Sequence, residues 1–368
     1  MKKRIFAALA IIALTSGCGL SSQTAKPSNG KEVVTIGYIA PQSGDSAIIG
    51  EANLEGVQIA LEEVRRQLGD EVEIKFIVED DQFDEKQTIN AYAKLTTIDN
   101  ADYILTVTYG GVLALADRAQ NDGKILINSL DASEELAGLG DNTFAIGIYD
   151  ESIGYTIAQY MNESSVEKLG VIVLKDPFTE LVTGALQEKF RGETTMQSYT
   201  GTENDFRSHL LKIKDVEALA IIGWEETGRI VKQARELGML QEIVGIDTFA
   251  SEDFRVNTSN RYDGLKFAFW DGSASNKIYA ELIKSYQAKY HKDPENILFT
   301  ATGYDAMKVL GSVIKKCKRD TTCAAKQLSE VKDFAGATGN ITIDGDNVTR
   351  SIRESMYYYD GAVIKSVK

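Results

Sequence analysis

At 368 residues, 43% hydrophobic and with only four prolines, the chain is long enough for two cores of ordinary domain size and too apolar to stay disordered. Its formal charge is −14, and −17 once Lys2, Lys3 and Arg4 leave with a leader, which argues against a nucleic-acid partner because such a surface repels phosphate backbones. Two histidines and three cysteines leave little for a histidine-built metal centre or a histidine-dependent triad.

Residues 1–17 read as a secretory signal peptide: basic residues at 2–4, the apolar run Ile5–Leu14, then small residues before Cys18. The run is too short to span a bilayer as a stable helix. Thr15-Ser16-Gly17-Cys18 resembles a bacterial lipobox, with Thr15 where leucine is usual. Cys18 is therefore the expected lipidation site, and residues 18–32, rich in Ser, Gly, Lys and Gln, the lipidated N-terminus and a flexible tether. An exported lipoprotein on the extracytoplasmic face of the cell membrane follows from this reading.

From Val33 the pattern is regular. Val33–Ile39 reads as a strand, Pro41–Gly50 as a loop, and Leu54, Val57, Leu61, Val64 and Leu68 mark one face of a helix. Glu73–Val78 is a second strand and Glu85–Thr97 a second helix, with Asp84 as its cap rather than a calcium ligand. Tyr103–Thr108 and Lys124–Asn128 are apolar runs around a segment with helical spacing, a βαβ unit. Its strand-end loops, Thr108–Gly111 and Ser129–Ser133, fall where open α/β sheets bind ligands.

Thr143–Ile148 reads as a crossing into a second lobe. There the rhythm restarts with strands Leu169–Leu174, Thr194–Thr200, Leu219–Ile222 and Ile243–Ile246, interleaved with helices Glu180–Arg191, Phe206–Ile213 and Gly228–Leu237. After Leu265–Trp270 the chain turns helical over Lys277–Tyr290 and Leu298–Lys316. Cys317 and Cys323 in KKCKRDTTC are expected to form a local disulfide, and Ile341–Ile343, Met356–Tyr359 and Ala362–Val367 are strand-like. The fold class is α/β, with two doubly wound parallel-sheet lobes facing a cleft.

No nucleophile elbow, P-loop, zinc-protease helix or dinucleotide fingerprint is present in the sequence, and His209 and His291 read as helix-edge and turn residues. What remains is a set of strand-end loops suited to a zwitterion. Backbone N–H groups near Gly110 and Gly111 at a helix start suit a carboxylate, with Ser129 and Ser133 as further donors. In the second half, Trp224 offers an aromatic wall and Asp247 an acceptor for an ammonium group.

Several segments together resemble the amino-acid/amide substrate-binding proteins of ABC transporters, the leucine/isoleucine/valine-binding protein family. They are IGYIAPQSG and GVQIALEEV near the start, EDDQFDEKQTINAYAKL, NDFRSHLLKIK before GW, GRIVKQARELGM, GYDAMKVL and GATGNITIDGDN. The resemblance implies a type I periplasmic binding fold, two lobes joined by a three-crossing hinge that closes over a ligand. Lobe 1 would take residues 33–147 plus 273–335, and lobe 2 residues 148–272 plus 336–368. It also implies a non-enzymatic monomer without cofactor, whose partners are a small amino acid or amide, a membrane permease and, through the lipid, the membrane itself. Carried over by position, the carboxylate loops fall on Tyr109-Gly110-Gly111 and Leu130-Asp131-Ala132-Ser133, and the ammonium acid on Asp247. Aromatic positions fall on Trp224 and Phe178, and a first-loop tyrosine of the family is matched by Ile49. Two departures stand out: Tyr109 replaces the usual hydroxyl residue, and Asp131 sets a negative charge beside the second loop. A sensing module that signals to a membrane receptor is the alternative role, with an exported enzyme on the same scaffold behind it.

Overall fold

A computed structural model of the protein describes residues 31–44, 46–270 and 276–367; the expected leader, the expected lipidation site Cys18 and most of the expected tether lie outside the described residues. The first lobe opens with β1 (Glu32–Ala40), α1 (Ala47–Leu68), β2 (Val72–Asp80), α2 (Glu85–Thr97), β3 (Tyr103–Thr106), α3 (Tyr109–Asp122) and β4 (Ile125–Asn128). Short strands β5 (Asp131–Ala132), β6 (Thr143–Ala145) and β7 (Ile148–Tyr149) follow. Five strands pair in parallel in the order β2-β1-β3-β4-β6. β3 and β4 are buried along their whole length, as strands covered by helices on both faces must be. Asp84 caps α2 by accepting from the Gln87 N–H, and buried Asp81 accepts from the Thr88 hydroxyl, so the acid-rich turn is structural.

The sequence reading placed no element between Ile148 and Leu169. The structure has α4 (Glu151–Glu163) there, with Ile153, Ile157 and Met161 buried at four-residue steps. The second lobe then runs β8 (Lys168–Leu174), α5 (Pro177–Lys189), β9 (Glu193–Tyr199), α6 (Arg207–Lys212), β10 (Ala218–Ile222), α7 (Thr227–Glu236), β11 (Glu242–Gly245), α8 (Glu252–Asn257) and β12 (Lys266–Phe269). Its order β9-β8-β10-β11-β12 repeats the winding of the first sheet.

Helices α9 (Lys277–Tyr290), α10 (Ile297–Cys317) and α11 (Thr321–Ser329) come next, with the hairpin β13 (Phe334–Gly336) and β14 (Gly339–Ile341). α10 is long and apolar enough to cross a membrane by length and composition, yet it is largely buried against α1 and is a core helix. Strands β15 (Ser355–Asp360) and β16 (Val363–Ser366) add to the second sheet antiparallel. That sheet is therefore mixed, not purely parallel, because a closing hairpin needs no crossover helix.

The chain passes between lobes at Ala145–Asp150 and again along Ile343–Glu354. These two segments lie side by side, bridging Ala145 to Val348 and Ile148 to Ile352. Between them the Thr349 hydroxyl accepts from the Gly147 N–H at 3.2 Å and donates to the Gly147 carbonyl at 3.1 Å, and a Cβ on Gly147 would strike the Leu130 carbonyl. The return from β12 to α9 falls on residues 271–275, outside the described residues, and with it the expected boundary at 272/273. Past the expected boundary at 335/336, Ala337, Ile341, Ile343 and Ile352 still pack into the first lobe's core.

Cys317 and Cys323 are joined, with Cα atoms 5.5 Å apart, fastening the end of α10 to α11. Because the closed loop is short, Cys323→Ser or thiol reduction should cost only about 2 kcal/mol, read as a lower urea midpoint; an unchanged midpoint would show that helix packing alone holds this corner.

Candidate functional site

A cavity of about 190 Å³ lies between the lobes, at the carboxyl ends of the inner strands of both sheets. Such strand ends collect ligand-binding loops in doubly wound folds, at the point where the winding reverses direction. The cavity is a little larger than one that holds benzene, about 150 Å³, so it suits a small solute. The first lobe supplies Ile49 of α1, Val107 through Gly111 at the β3–α3 junction, and Leu130 and Asp131 after β4. The second supplies Asp176, Pro177 and Phe178 at the start of α5, Trp224 after β10 and Asp247 after β11. Ile148, Ile153 and Glu354, on or next to the crossing segments, also line it, as do Phe83, Glu85, Thr88 and Phe299 of the first lobe.

Nine of the expected ligand residues thus come together: Ile49, Tyr109, Gly110, Gly111, Leu130, Asp131, Phe178, Trp224 and Asp247. Ser129, Ala132 and Ser133 do not line the cavity. The Ser129 hydroxyl donates to Asn53 Oδ1 at 2.9 Å inside the first lobe, Ala132 is core, and Ser133 Oγ accepts from the Leu136 N–H at 3.1 Å in a turn. Tyr109 also differs from a simple contact residue: its phenol donates to the Glu135 carboxylate, which fastens the ring at the cavity edge.

Local folding fixes the rest of the geometry. Asp176 caps α5, accepting from the Phe178 N–H at 3.0 Å, and Pro177 in the first turn suits a position whose own N–H would have no helical partner. Phe178 stacks on Trp224 with ring centroids 5.3 Å apart and planes 20° apart. The Trp224 carbonyl is held by the Thr227 hydroxyl at 2.7 Å. At the other wall, Thr108 Oγ1 accepts from the Gly111 N–H at 3.2 Å and so caps α3.

The site is acidic. Asp131 is only 7% exposed, and burial, set against a weak hydrogen bond from Asn128 and raised further by Asp176 and Asp247 across the cleft, pushes its carboxyl up to about 7. Asp247 keeps part of its surface open to the cavity yet sits deep among protein atoms, and that burial raises it to about 6. Burial also raises Asp176, and lifts Asp150 and Glu354 well above the usual carboxylate range, with neighbouring acids adding to it.

Asp176 and Glu354 escaped the sequence reading. Asp176 carries a signal, since an Asp-Pro pair after a strand marks a helix cap at a strand end, and α5 starts at Pro177, three residues before the expected Glu180. Glu354 carried none, because only the side-by-side crossings bring it under the cleft.

A family model described as periplasmic binding protein matches residues 33–360. The chain belongs to the periplasmic binding proteins. This binding protein is 25% identical over 345 residues to the Leu/Ile/Val-binding protein homolog 1 of Brucella abortus (strain 2308), with 90% of this chain and 91% of the relative covered. Its fold is similar to that of the branched-chain amino acid transporter substrate-binding protein LivJ of Streptococcus pneumoniae, solved with isoleucine. There the TM-score is 0.80 at 24% identity, over 91% of this chain and 98% of that one. A solute-binding protein of R. palustris solved with benzoate gives 0.78 at 19%, over 91% and 95%. At these identities the solved structures establish the fold, the type I periplasmic binding fold. Membership of a family of binding proteins makes this binding protein a solute binder rather than an enzyme, working outside the cytoplasm.

Proposed function

We propose that the protein captures a small polar solute bearing an amino or amide nitrogen between its lobes and delivers it to an ABC permease. The observation that carries this reading is the cavity itself: solute-sized, lined from both lobes and from the crossings, and wound identically on either side. Contacts that need both walls, Asp131 and Tyr109 on one and Phe178, Trp224 and Asp247 on the other, favour a closed state only when a ligand bridges them. The swing would centre on the paired crossings Ala145–Asp150 and Ile343–Glu354, dividing the chain near those segments. We assign Cys18 as the lipidated residue and the tether after it as the link to the membrane.

Amino acids, amides and amines should be screened by thermal shift and calorimetry, with Asp247→Ala beside the native protein. A solute with a nitrogen end should bind the variant about tenfold to a hundredfold more weakly, the usual loss for removing one partner of a charged hydrogen bond. An unchanged affinity would remove Asp247 from the site.

A further inference from the structure

Resting on the solute-binding reading above, we propose that the solute is a small organic cation without a carboxylate. It would be an amine, amidine or guanidine whose charged nitrogen sits among Asp131, Asp247 and Glu354 while its apolar part lies against Phe178 and Trp224.

Among the described residues, every charged side chain that lines the cavity is an acid: Glu85, Asp131, Asp176, Asp247 and Glu354, with no lysine, arginine or histidine beside them in the wall. Glu354 shows the demand most directly. It is 4% exposed, sits in the cavity wall, and neither carboxylate oxygen has a hydrogen-bond partner. Behind it Asp150 is fully buried with both oxygens unpartnered. Two arginines of the same crossing are engaged elsewhere: Arg350 with Glu134, Asp344 and Asp346, and Arg353 over the Tyr149 ring at 5.6 Å. A buried carboxylate without a donor is costly, and a ligand N–H that reaches it recovers that cost on binding.

The seat that a ligand carboxylate would need is compromised by the chain's own oxygens. Thr108 Oγ1 already takes the Gly111 N–H. A Cβ on Gly110 would come within 3.1 Å of Glu85 Oε1, so an acid already overhangs the start of α3. Asp131 faces the same space from the β4 side. An entering carboxylate meets repulsion from two acids and no compensating cation. Conversely, the stacked Phe178 and Trp224 offer aromatic faces that attract a cation and cover apolar carbon. A bare metal ion fits less well, because among the described residues no three histidine, cysteine or carboxylate side chains converge closely enough to hold one.

The test is a calorimetric and thermal-shift panel of matched pairs that differ only in the carboxylate: isoamylamine with leucine, phenethylamine with phenylalanine, cadaverine with lysine, agmatine with arginine. Neutral isovaleramide and benzamide complete it. In the pair that binds best, the amine should bind at least about tenfold more tightly than its amino acid. An amino acid binding more tightly than its amine overturns the cationic assignment and leaves the solute-binding reading intact, as does binding of a neutral amide with no amine bound. Silence from the whole panel overturns both. Glu354→Gln keeps the shape and removes the charge; it should weaken the best amine about tenfold while the ligand-free protein melts no lower. Undiminished amine affinity in that variant overturns the role given to Glu354.

Discussion

Asp131→Asn should stabilise the ligand-free protein by up to about 4 kcal/mol at pH 8 and change it little at pH 4. Folding raises the Asp131 carboxyl from 3.8 to about 7, chiefly through burial, with Asp176 and Asp247 adding repulsion from the second lobe. Asn128 offers one long hydrogen bond of 3.4 Å and does not offset this. Below the unfolded value both states hold the proton, and the group contributes nothing to the pH dependence. As pH rises from about 4 to about 7 the unfolded chain ionises first, so the folded state of the native protein loses ground, and above about 7 the full penalty is present. Asparagine is never charged and escapes it. Urea unfolding of both proteins at pH 4, 6 and 8 should show the gap opening with pH; a constant gap would mean that a partner neutralises Asp131. The penalty is what an acid-lined cleft costs in the absence of ligand, and stabilising a binding protein this way should weaken its hold on a cation.

Asp305→Ala should cost on the order of 4 kcal/mol and also reduce ligand affinity. Asp305 is fully buried on α10 and accepts from the Ala337 N–H at 2.6 Å, the Thr338 N–H at 2.8 Å and the Thr338 hydroxyl at 2.6 Å. Those donors lie in the β13–β14 turn, immediately before the last crossing. Removing the carboxylate leaves two backbone N–H groups with no acceptor, each worth about 1–3 kcal/mol. It also loosens the segment that delivers Thr349 to Gly147 and Glu354 to the cavity. Urea unfolding gives the stability loss, and calorimetry with any bound solute gives the second effect. Asp305→Asn, which keeps one acceptor oxygen, should lose about half as much.

The strand-end loops were legible in the sequence because a parallel strand is an apolar run that ends where its loop begins. Tyr109, Gly110, Gly111, Asp131, Trp224 and Asp247 sit at or just past such strand ends, and all six line the cleft. Side-chain direction was not legible. Ser129, Ala132 and Ser133 sit in the same loop as Asp131, yet turn into the first lobe to satisfy Asn53, the core and the Leu136 N–H.

Two α/β lobes and the cleft between them were thus written in the sequence itself, since periodicity and strand ends are local properties of the chain, while the family showed there only as a resemblance of particular segments. Only the tertiary structure decided the character of the cleft. Asp176 becomes a wall residue through the true start of α5, and Glu354 through a crossing laid beside another far earlier in the chain, as the bridges Ala145–Val348 and Ile148–Ile352 show. Charge in a binding site is a sum over residues brought together by folding, and the formal charge of each residue carries no record of which others will stand beside it.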